Sequence, residues 1–205
     1  MTTHWHDRWN ENRIGFHKEE PNVNLIRHLD HLPKGRVLLP LAGKSEDLWY
    51  LRDQGFAPTG VELVEKAVLE FFSDRHLEAE KREGERYHAE GVQLVRQDIF
   101  DFDDPPYHAI WDRAAMVALP KEDRVRYASK LLKLLAPGGT LLICTLDFYG
   151  AYDQGPPFSV VDEELGAYFA NEGSLNLLDK HEIPPRNSAG SDIAHESVHL
   201  FVKSL

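Results

Sequence analysis

Short apolar runs alternate with segments of helical periodicity along this chain. The first run, residues 37–39, is too short for a helix and ends before a turn at Gly43, which predicts a buried strand. A helix is predicted to begin near Ser45, because a hydroxyl can cap free N–H groups and the acids after it suit the positive end of a helix. A second strand, residues 59–62, ends in an acid. Strand, glycine turn, helix, strand and terminal acid form the first half of a nucleotide-binding α/β fold.

The alternation continues to the carboxyl end of the chain. Further strands are predicted at about residues 92–95, 107–111, 140–146, 175–183 and 194–202, with helices at about 64–72, 120–135 and 161–169. The continuous apolar run at 140–146 favours a central, buried place in the sheet. The charged stretch at 78–90 is expected to be a solvated helix end and loop. The pattern as a whole predicts an α/β fold.

The residues before the first strand include several aromatic side chains. Trp5 and Trp9 are four positions apart, which puts both rings on one face of a short helix, and a loop over residues 12–17 follows. These rings could form a lid over a ligand or belong to an amphipathic helix packed on the core, and both interpretations stay open. A second helix is predicted after Pro21, and its apolar stripe consists of Val23, Ile26 and Leu29.

The length of 205 residues and the absence of repeats or linkers predict a single domain, residues 1–205. Within it, residues 1–33 would form a helical, lid-like amino-terminal segment, and residues 34–205 would form a Rossmann-like core. A monomer is expected.

Composition argues against several classes of function. Lys and Arg number 23 against 34 for Asp and Glu, a formal charge of −11, so a general nucleic-acid binder, which needs a basic face, is not expected. The single Cys144 cannot form an internal disulfide, and no signal peptide, anchor or membrane span is apparent, so a cytoplasmic protein without membrane partners is expected. Cys144 is expected to be a small core residue rather than a nucleophile. His4, His6 and His17 lack a partner Cys and clear ligand spacing, so no metal site is expected.

The turn after the first strand is compatible with several ligands. A phosphate-binding loop would need glycine where Leu38 stands, and a dinucleotide site would need three glycines where only Gly43 is present. S-adenosylmethionine has no phosphates, so one glycine suffices, and Glu62 could accept hydrogen bonds from both hydroxyls of its ribose. A plain α/β core with a solvated Glu62 remains an alternative.

Two further strand ends carry candidate site residues. Asp98 and Ile99 follow the third predicted strand, where an acid could accept a bond from an adenine amino group and an apolar neighbour could lie against the ring. Asp112 and Arg113 follow the fourth, at the edge of the sheet where ligands bind in open α/β folds. A turn aspartate with a core isoleucine, and a local salt bridge of Arg113 with an acid, are the alternatives. The long loop 148–159 is a further functional candidate.

Several sequence blocks together resemble the thiopurine S-methyltransferase family. They are VLLPLAGKSEDLWYL from residue 37, GVEL from residue 60, WDRAAMVALP from residue 111, GPPFSV from residue 155, and the spacing of Trp5, Trp9, Phe16 and His17. The likeness covers nearly the whole chain. It implies a class I methyltransferase fold, with a seven-stranded, mostly parallel sheet, an antiparallel last strand and helices on both faces. It also implies S-adenosylmethionine as the methyl donor and a sulfur atom as the usual acceptor.

The resemblance also implies roles for individual residues. Together with Gly43 of the turn, the expected donor-binding residues are Trp9, Leu41, Glu62, Asp98, Ile99 and Arg113. Phe16 and Arg113 would bind the acceptor, and Arg113 is the expected catalytic residue. Ala42 stands where the family usually has cysteine, which keeps the tight turn but removes any role of that thiol.

The acceptor class is left open by the family. A small aromatic or heterocyclic thiol is the expected acceptor, and a halide or a selenium or tellurium oxyanion is an alternative. A non-catalytic module that only binds the donor is a second alternative, although such a module need not keep an acceptor pocket. Because a sulfonium is an excellent leaving group and a thiolate a strong nucleophile, catalysis would need in-line positioning and exclusion of water rather than an acid–base pair.

Overall fold

The protein is built around one nine-stranded sheet. The computed structural model describes residues 2–148, 155–184 and 194–205. The strands are β1 (Arg36–Pro40), β2 (Ala57–Glu62), β3 (Glu80–Arg82), β4 (Arg86–Ala89), β5 (Val92–Arg96), β6 (Tyr107–Arg113), β7 (Leu135–Phe148), β8 (Gly173–Ile183) and β9 (Ala194–Lys203). The helices are α1 (Thr2–Asn10), α2 (Val23–His28), α3 (Asp47–Asp53), α4 (Glu65–Ser73), α5 (Lys121–Leu134) and α6 (Asp162–Phe169), with short 3-10 turns at Leu29–His31 and Met116–Ala118.

The strand order is β3-β4-β5-β2-β1-β6-β7-β9-β8. The five strands from β5 to β7 are parallel, and β9 runs antiparallel between β7 and β8. The predicted reversed last strand is therefore confirmed. Strand β1 pairs with β2 on one side and with β6 on the other, so the strand order reverses at β1. Ligands of open α/β sheets bind at such a switch point.

The prediction of seven strands was wrong by two. The charged stretch expected to be a helix end and loop instead forms the hairpin β3–β4, with Glu80 opposite His88 and Arg82 opposite Arg86. Strand β3 is exposed along its length and lies at the edge of the sheet, where charged side chains are tolerated because they discourage pairing with another chain. The many charged residues at 78–90 therefore made two strands look like a loop in the sequence pattern.

Helices cover both faces of the sheet, as predicted. Side chains that alternate along the central strands belong to two separate apolar clusters, because successive residues of a strand point to opposite faces. One cluster joins Leu38 and Ile110 to α5 and α6, and the other joins Val37 and Trp111 to α2, α3 and α4.

The predicted apolar stripe of α2 was wrong at two of its three positions, since only Leu29 packs against the core. Val23 and Ile26 are 58% and 48% exposed, whereas Asn24 and Leu25 are fully buried. The helix has only six residues, and its orientation follows from its amino end, where the Asn22 amide donates to Asp47 Oδ1 at 2.6 Å. A contact with a distant residue therefore overrides the local pattern.

Candidate functional site

A cavity of about 280 Å³ lies at the carboxyl ends of the central strands. Its volume is near the lower end of the roughly 300–1,000 Å³ typical of small-molecule sites. All eight residues expected from the sequence to bind donor or acceptor line it: Trp9, Phe16, Leu41, Gly43, Glu62, Asp98, Ile99 and Arg113. These residues come from five separate parts of the chain, and the sheet brings them together.

Glu62 ends β2 and is buried at the base of this cavity. Its Oε2 accepts from the Gly43 amide at 2.8 Å, and its Oε1 accepts from the Val64 amide at 2.7 Å. Burial raises the pKa of the carboxyl above its ordinary value, although these backbone N–H groups act in the opposite direction. Glu62 is therefore not the solvated acid of the alternative interpretation, and it organises the turn beside it.

The turn after β1 approaches its neighbours closely. Leu41 and Gly43 both have positive φ, 49° and 56°, and the Ala42 amide donates to the Val61 carbonyl at 3.0 Å. A Cβ on Gly43 would lie 3.3 Å from the Trp9 ring, so glycine here allows the left-handed conformation and the close contact together.

Asp98 and Ile99 lie just beyond β5. Asp98 Oδ1 accepts from the Phe100 amide at 2.9 Å, which shapes the turn and leaves the second oxygen without a protein partner among the described residues. Ile99 is 4% exposed and belongs to the core as well as to the cavity wall. Both the turn role and the cavity position that the sequence suggested are therefore present.

Arg113 is the last residue of β6, so this strand is two residues longer than predicted. Its Nη1 donates to the Phe16 carbonyl at 3.1 Å. The neighbouring Asp112 is fully buried and instead accepts from the Tyr127 hydroxyl at 2.8 Å and the Met116 amide at 3.2 Å. Among the described residues Arg113 has no carboxylate within ion-pair distance, so the structure does not contain the predicted alternative, a local salt bridge.

The amino-terminal segment closes one side of the cavity. Trp9 is 2% exposed and packs on Val64 and Ala67, and its carbonyl accepts from Lys66 Nζ at 2.9 Å. The Phe16 ring makes edge contacts with the rings of Trp5 and Trp9, with centroids 5.7 and 5.9 Å apart. The helix α1 therefore packs on the core and also lines the cavity, and its opening as a lid stays a prediction.

Sequence reasoning missed a polar strip beside Arg113. It consists of Asn24, Asp47, Trp111, Cys144 and Glu196, and all but Asn24 line the cavity. Asp47 Oδ2 accepts from Trp111 Nε1 at 2.8 Å, and Asn24 Nδ2 donates to Glu196 Oε2 at 2.8 Å. Asp47 could have been found from the sequence, because it begins the helix that follows the turn at Gly43. Asn24 and Glu196 are in contact across 172 positions, so no local pattern indicates that pair.

Cys144 is the one strip residue whose burial the sequence predicted, since it is 4% exposed. Burial raises the pKa of its thiol well above the ordinary value, which keeps the group protonated at neutral pH. The described residues contain no group of three or more His, Cys, Asp or Glu side chains arranged to hold a metal ion, and no helix long and apolar enough to span a bilayer.

The residues at the donor end fit S-adenosylmethionine. Glu62 uses each oxygen for one backbone N–H, so each keeps a lone pair for a ribose hydroxyl. The Gly43 turn leaves the backbone open to a close approach, and Ile99 supplies an apolar surface next to the free oxygen of Asp98.

Comparison with known proteins agrees with this geometry. A family model described as Thiopurine S-methyltransferase (TPMT) matches residues 1–204. A thiopurine S-methyltransferase of Legionella pneumophila (strain Corby) is 40% identical over 183 residues, 85% of this chain and 83% of the relative. One of Pseudomonas aeruginosa (strain UCBPP-PA14) is 40% identical over 210 residues and covers 96% of both chains.

Solved structures show the same fold at lower identity. The 1,6-didemethyltoxoflavin-N1-methyltransferase of Burkholderia thailandensis, with bound 1,6-didemethyltoxoflavin and S-adenosylhomocysteine, superposes with a TM-score of 0.70. It is 20% identical and covers 100% of this chain and 87% of its own, so the likeness concerns the fold.

Proposed function

Because this chain belongs to the thiopurine S-methyltransferase family, we propose that it methylates the sulfur of a small aromatic or heterocyclic thiol. Membership makes it an S-adenosylmethionine-dependent methyltransferase with a class I, Rossmann-like fold. The acceptor, the residue roles, the single domain, the monomeric state and the cytoplasmic location are parts of the proposal.

The observation that carries the acceptor class is the setting of Arg113. Its side chain and that of Phe16 both line the cavity, and among the described residues only the Phe16 carbonyl is its hydrogen-bond partner. A cation without a carboxylate partner can stabilise an anionic sulfur, and an aromatic ring can lie against an aromatic acceptor. A positive charge also lowers the pKa of a nearby thiol, so a larger fraction of the acceptor would be thiolate.

Residues of the donor end would hold and orient the cofactor. Glu62 would accept hydrogen bonds from the two ribose hydroxyls, and Asp98 would accept from the adenine amino group with Ile99 against the ring. Trp9, Leu41 and Gly43 would surround the remainder of the donor. When bound, S-adenosylmethionine would supply a methyl group for transfer to the acceptor sulfur, and its sulfonium sulfur would keep the electron pair of the carbon–sulfur bond that breaks.

The chain's contribution to the transfer is positioning and exclusion of water. The amino-terminal segment, residues 1–33, would act as the lid, because Trp9 and Phe16 close the cavity on one side. The acceptor thiol loses its proton to solvent water before it binds, and Arg113 favours the thiolate without acting as a base. No other residue is needed as an acid or base, since both sulfur atoms react readily once aligned.

The proposal is tested by turnover of S-adenosylmethionine with benzenethiol, 2-mercaptobenzimidazole, iodide, selenite and tellurite, with S-adenosylhomocysteine measured as the product. We expect the two thiols to have the highest kcat/KM. Preference for an inorganic anion would overturn the acceptor class. Tight binding of S-adenosylhomocysteine without turnover of any acceptor would favour the non-catalytic alternative.

A further inference from the structure

The strip beside Arg113 contains two carboxylates that line the cavity, Asp47 and Glu196. Asp47 uses its two oxygens for the Asn22 amide and Trp111 Nε1, so Glu196 is the carboxylate of interest.

Arg113 on β6 is paired with Cys144 on β7, and Glu196 on β9 is paired with Leu146 on β7. Paired residues point to the same face of a sheet, so Arg113 shares a face with Cys144. Asn24 Nδ2 contacts both Cys144 Sγ and Glu196 Oε2, which puts Glu196 on that face too, whereas Leu146 packs in the apolar cluster of the other face. Arg113, Cys144 and Glu196 all line the cavity.

The sheet fixes the spacing of the two charges. Arg113 and Glu196 are separated by one strand, which puts their strands roughly 10 Å apart, and they are offset by two positions along β7. Cys144, which is 4% exposed, forms a narrow floor between them. A cation and a carboxylate on opposite sides of such a floor leave room for one small ring between them.

Glu196 is held in place while one of its oxygens stays free. Its Oε2 accepts from Asn24 Nδ2 at 2.8 Å, and Asn24 is itself fully buried and fixed by its backbone amide, which donates to Asn22 Oδ1 at 2.8 Å. His181 Nε2 lies 3.5 Å from the same oxygen. The other oxygen, Oε1, has no protein partner among the described residues.

We propose that Glu196 determines acceptor specificity by accepting a hydrogen bond from a ring N–H of the acceptor while Arg113 holds its anionic sulfur. This inference rests on the proposed function and narrows its substrate class to heterocyclic thiols that carry an N–H donor. A halide or a metalloid oxyanion has no such donor and would meet an unfavourable carboxylate at this end of the cavity. A carbocyclic thiol would leave the carboxylate without its extra partner.

Glu196 is a different kind of residue from Arg113, because its effect depends on the acceptor. A site that hydrogen-bonds a substrate N–H favours that substrate over an analogue without the N–H, and removing the bonding group abolishes the preference. Removing a charge that only maintains the fold would affect all acceptors alike. The test is therefore a ratio between two acceptors of similar size rather than a loss of activity.

The experiment compares Glu196→Gln with the wild-type chain on 2-mercaptobenzimidazole, which has ring N–H groups, and on 2-naphthalenethiol, which has none. Glutamine keeps an oxygen for Asn24 but turns an amide N–H₂ toward the acceptor. We expect kcat/KM to fall about tenfold to a hundredfold for 2-mercaptobenzimidazole and less than about threefold for 2-naphthalenethiol. Each comparison uses one acceptor with two proteins, so the reactivity of the thiol itself cancels.

A binding measurement separates this inference from the proposed function. Calorimetry with 2-mercaptobenzimidazole, on protein saturated with S-adenosylhomocysteine, should show about tenfold weaker binding to Glu196→Gln and an unchanged Kd for S-adenosylhomocysteine. If the wild-type chain methylates neither thiol, the proposed function is wrong, and the binding ratio still decides the role of Glu196. Equal losses for both thiols, or unchanged binding of 2-mercaptobenzimidazole, would overturn the inference.

Two further variants test whether the position of the Glu196 carboxylate, rather than the net charge of the protein, controls acceptor choice. Glu182→Gln, on the exposed side of β8, removes one carboxylate outside the cavity and should change neither acceptor. Glu196→Asp keeps the charge but withdraws it by one methylene, and we expect a selective loss of the same sign and smaller size. A selective loss in Glu182→Gln as well would mean that net charge, not position, controls acceptor choice.

Discussion

Replacing Glu62 by glutamine should weaken both the fold and donor binding, by amounts that the structure allows to be separated. In the free protein the two carboxylate oxygens accept from the amides of Gly43 and Val64 at 2.8 and 2.7 Å, and the residue is 7% exposed. Glutamine has one acceptor oxygen, so its N–H₂ group must face one of these amides. One charge-assisted bond is lost and one buried N–H is left unpaired, which costs about 1.5–3 kcal/mol of unfolding free energy.

The cost in donor affinity is additional, because the same carboxylate is expected to accept from the ribose. The glutamine oxygen cannot hold the turn and both hydroxyls, so we expect the Kd of S-adenosylhomocysteine to rise about tenfold to a hundredfold, or ~1.4–2.7 kcal/mol. The assays are titration calorimetry with S-adenosylhomocysteine and urea unfolding without ligand. Glu65→Gln, three residues on and exposed, is the matched control and should change neither.

The two measurements refute different steps of the reasoning. A stability loss with unchanged affinity would mean that Glu62 only organises the turn. Unchanged stability and affinity would mean that the two backbone bonds contribute nothing measurable. The pH dependence gives a further check on sign: burial raises the pKa of Glu62, so its contribution to the stability of the free protein is present below about 4.5 and falls as pH rises through the folded-state pKa. Donor binding, which needs the carboxylate, should strengthen over the same range.

Three other predictions follow from the site and its surroundings. Arg113→Lys should lower kcat/KM for a thiol about tenfold to a hundredfold with little change in Tm, because an ammonium lacks the planar fork of a guanidinium; full activity of the lysine variant would exclude the catalytic role. Deleting residues 1–17 should leave a folded chain with a lower Tm and little transfer activity, whereas an unfolded truncated chain would mean that the segment is structural. In the full-length chain, hydrogen exchange should show residues 1–17 becoming protected when S-adenosylhomocysteine binds. Burial raises the pKa of Asp112 from 3.8 to about 6, so its contribution to unfolding free energy is full below pH 3.8 and should fall by about 3 kcal/mol as pH rises to 7; urea unfolding of Asp112→Asn should lack this dependence, and an unchanged pH profile would refute it.

The elements that the sequence predicted well are those whose burial is decided locally. Residues 37–39 and 140–146 lie in strands buried on both faces, so their apolar runs are continuous and have no other stable placement. Elements at the periphery were harder. The hairpin β3–β4 has too many charges to resemble a strand, and the orientation of α2 depends on the bond from Asn22 to Asp47, 25 positions away.

The same distinction holds for the site. Gly43, Glu62, Asp98 and Arg113 could be predicted because each ends or closely follows a parallel strand, and the carboxyl ends of parallel strands meet at one edge. Glu196 could not be found in this way, because β9 is antiparallel and contributes a residue near its amino end. The pairing of β9 with β7 is a tertiary fact, and no periodicity in the sequence indicates which residue of β9 reaches the cavity.

The amino-terminal segment links the two ends of the cavity, which bears on what a lid here can do. The ring of Trp9 lies against Gly43 of the donor turn, while the carbonyl of Phe16 accepts from Arg113 at the acceptor end. The segment cannot leave the core without losing both contacts, together with the bond from Lys66 to the Trp9 carbonyl. An anionic acceptor would draw Arg113 toward itself, so the same guanidinium would hold the lid and the acceptor. Closure and acceptor charge are then coupled through one side chain, which is why Arg113→Lys should reduce turnover more than it reduces stability.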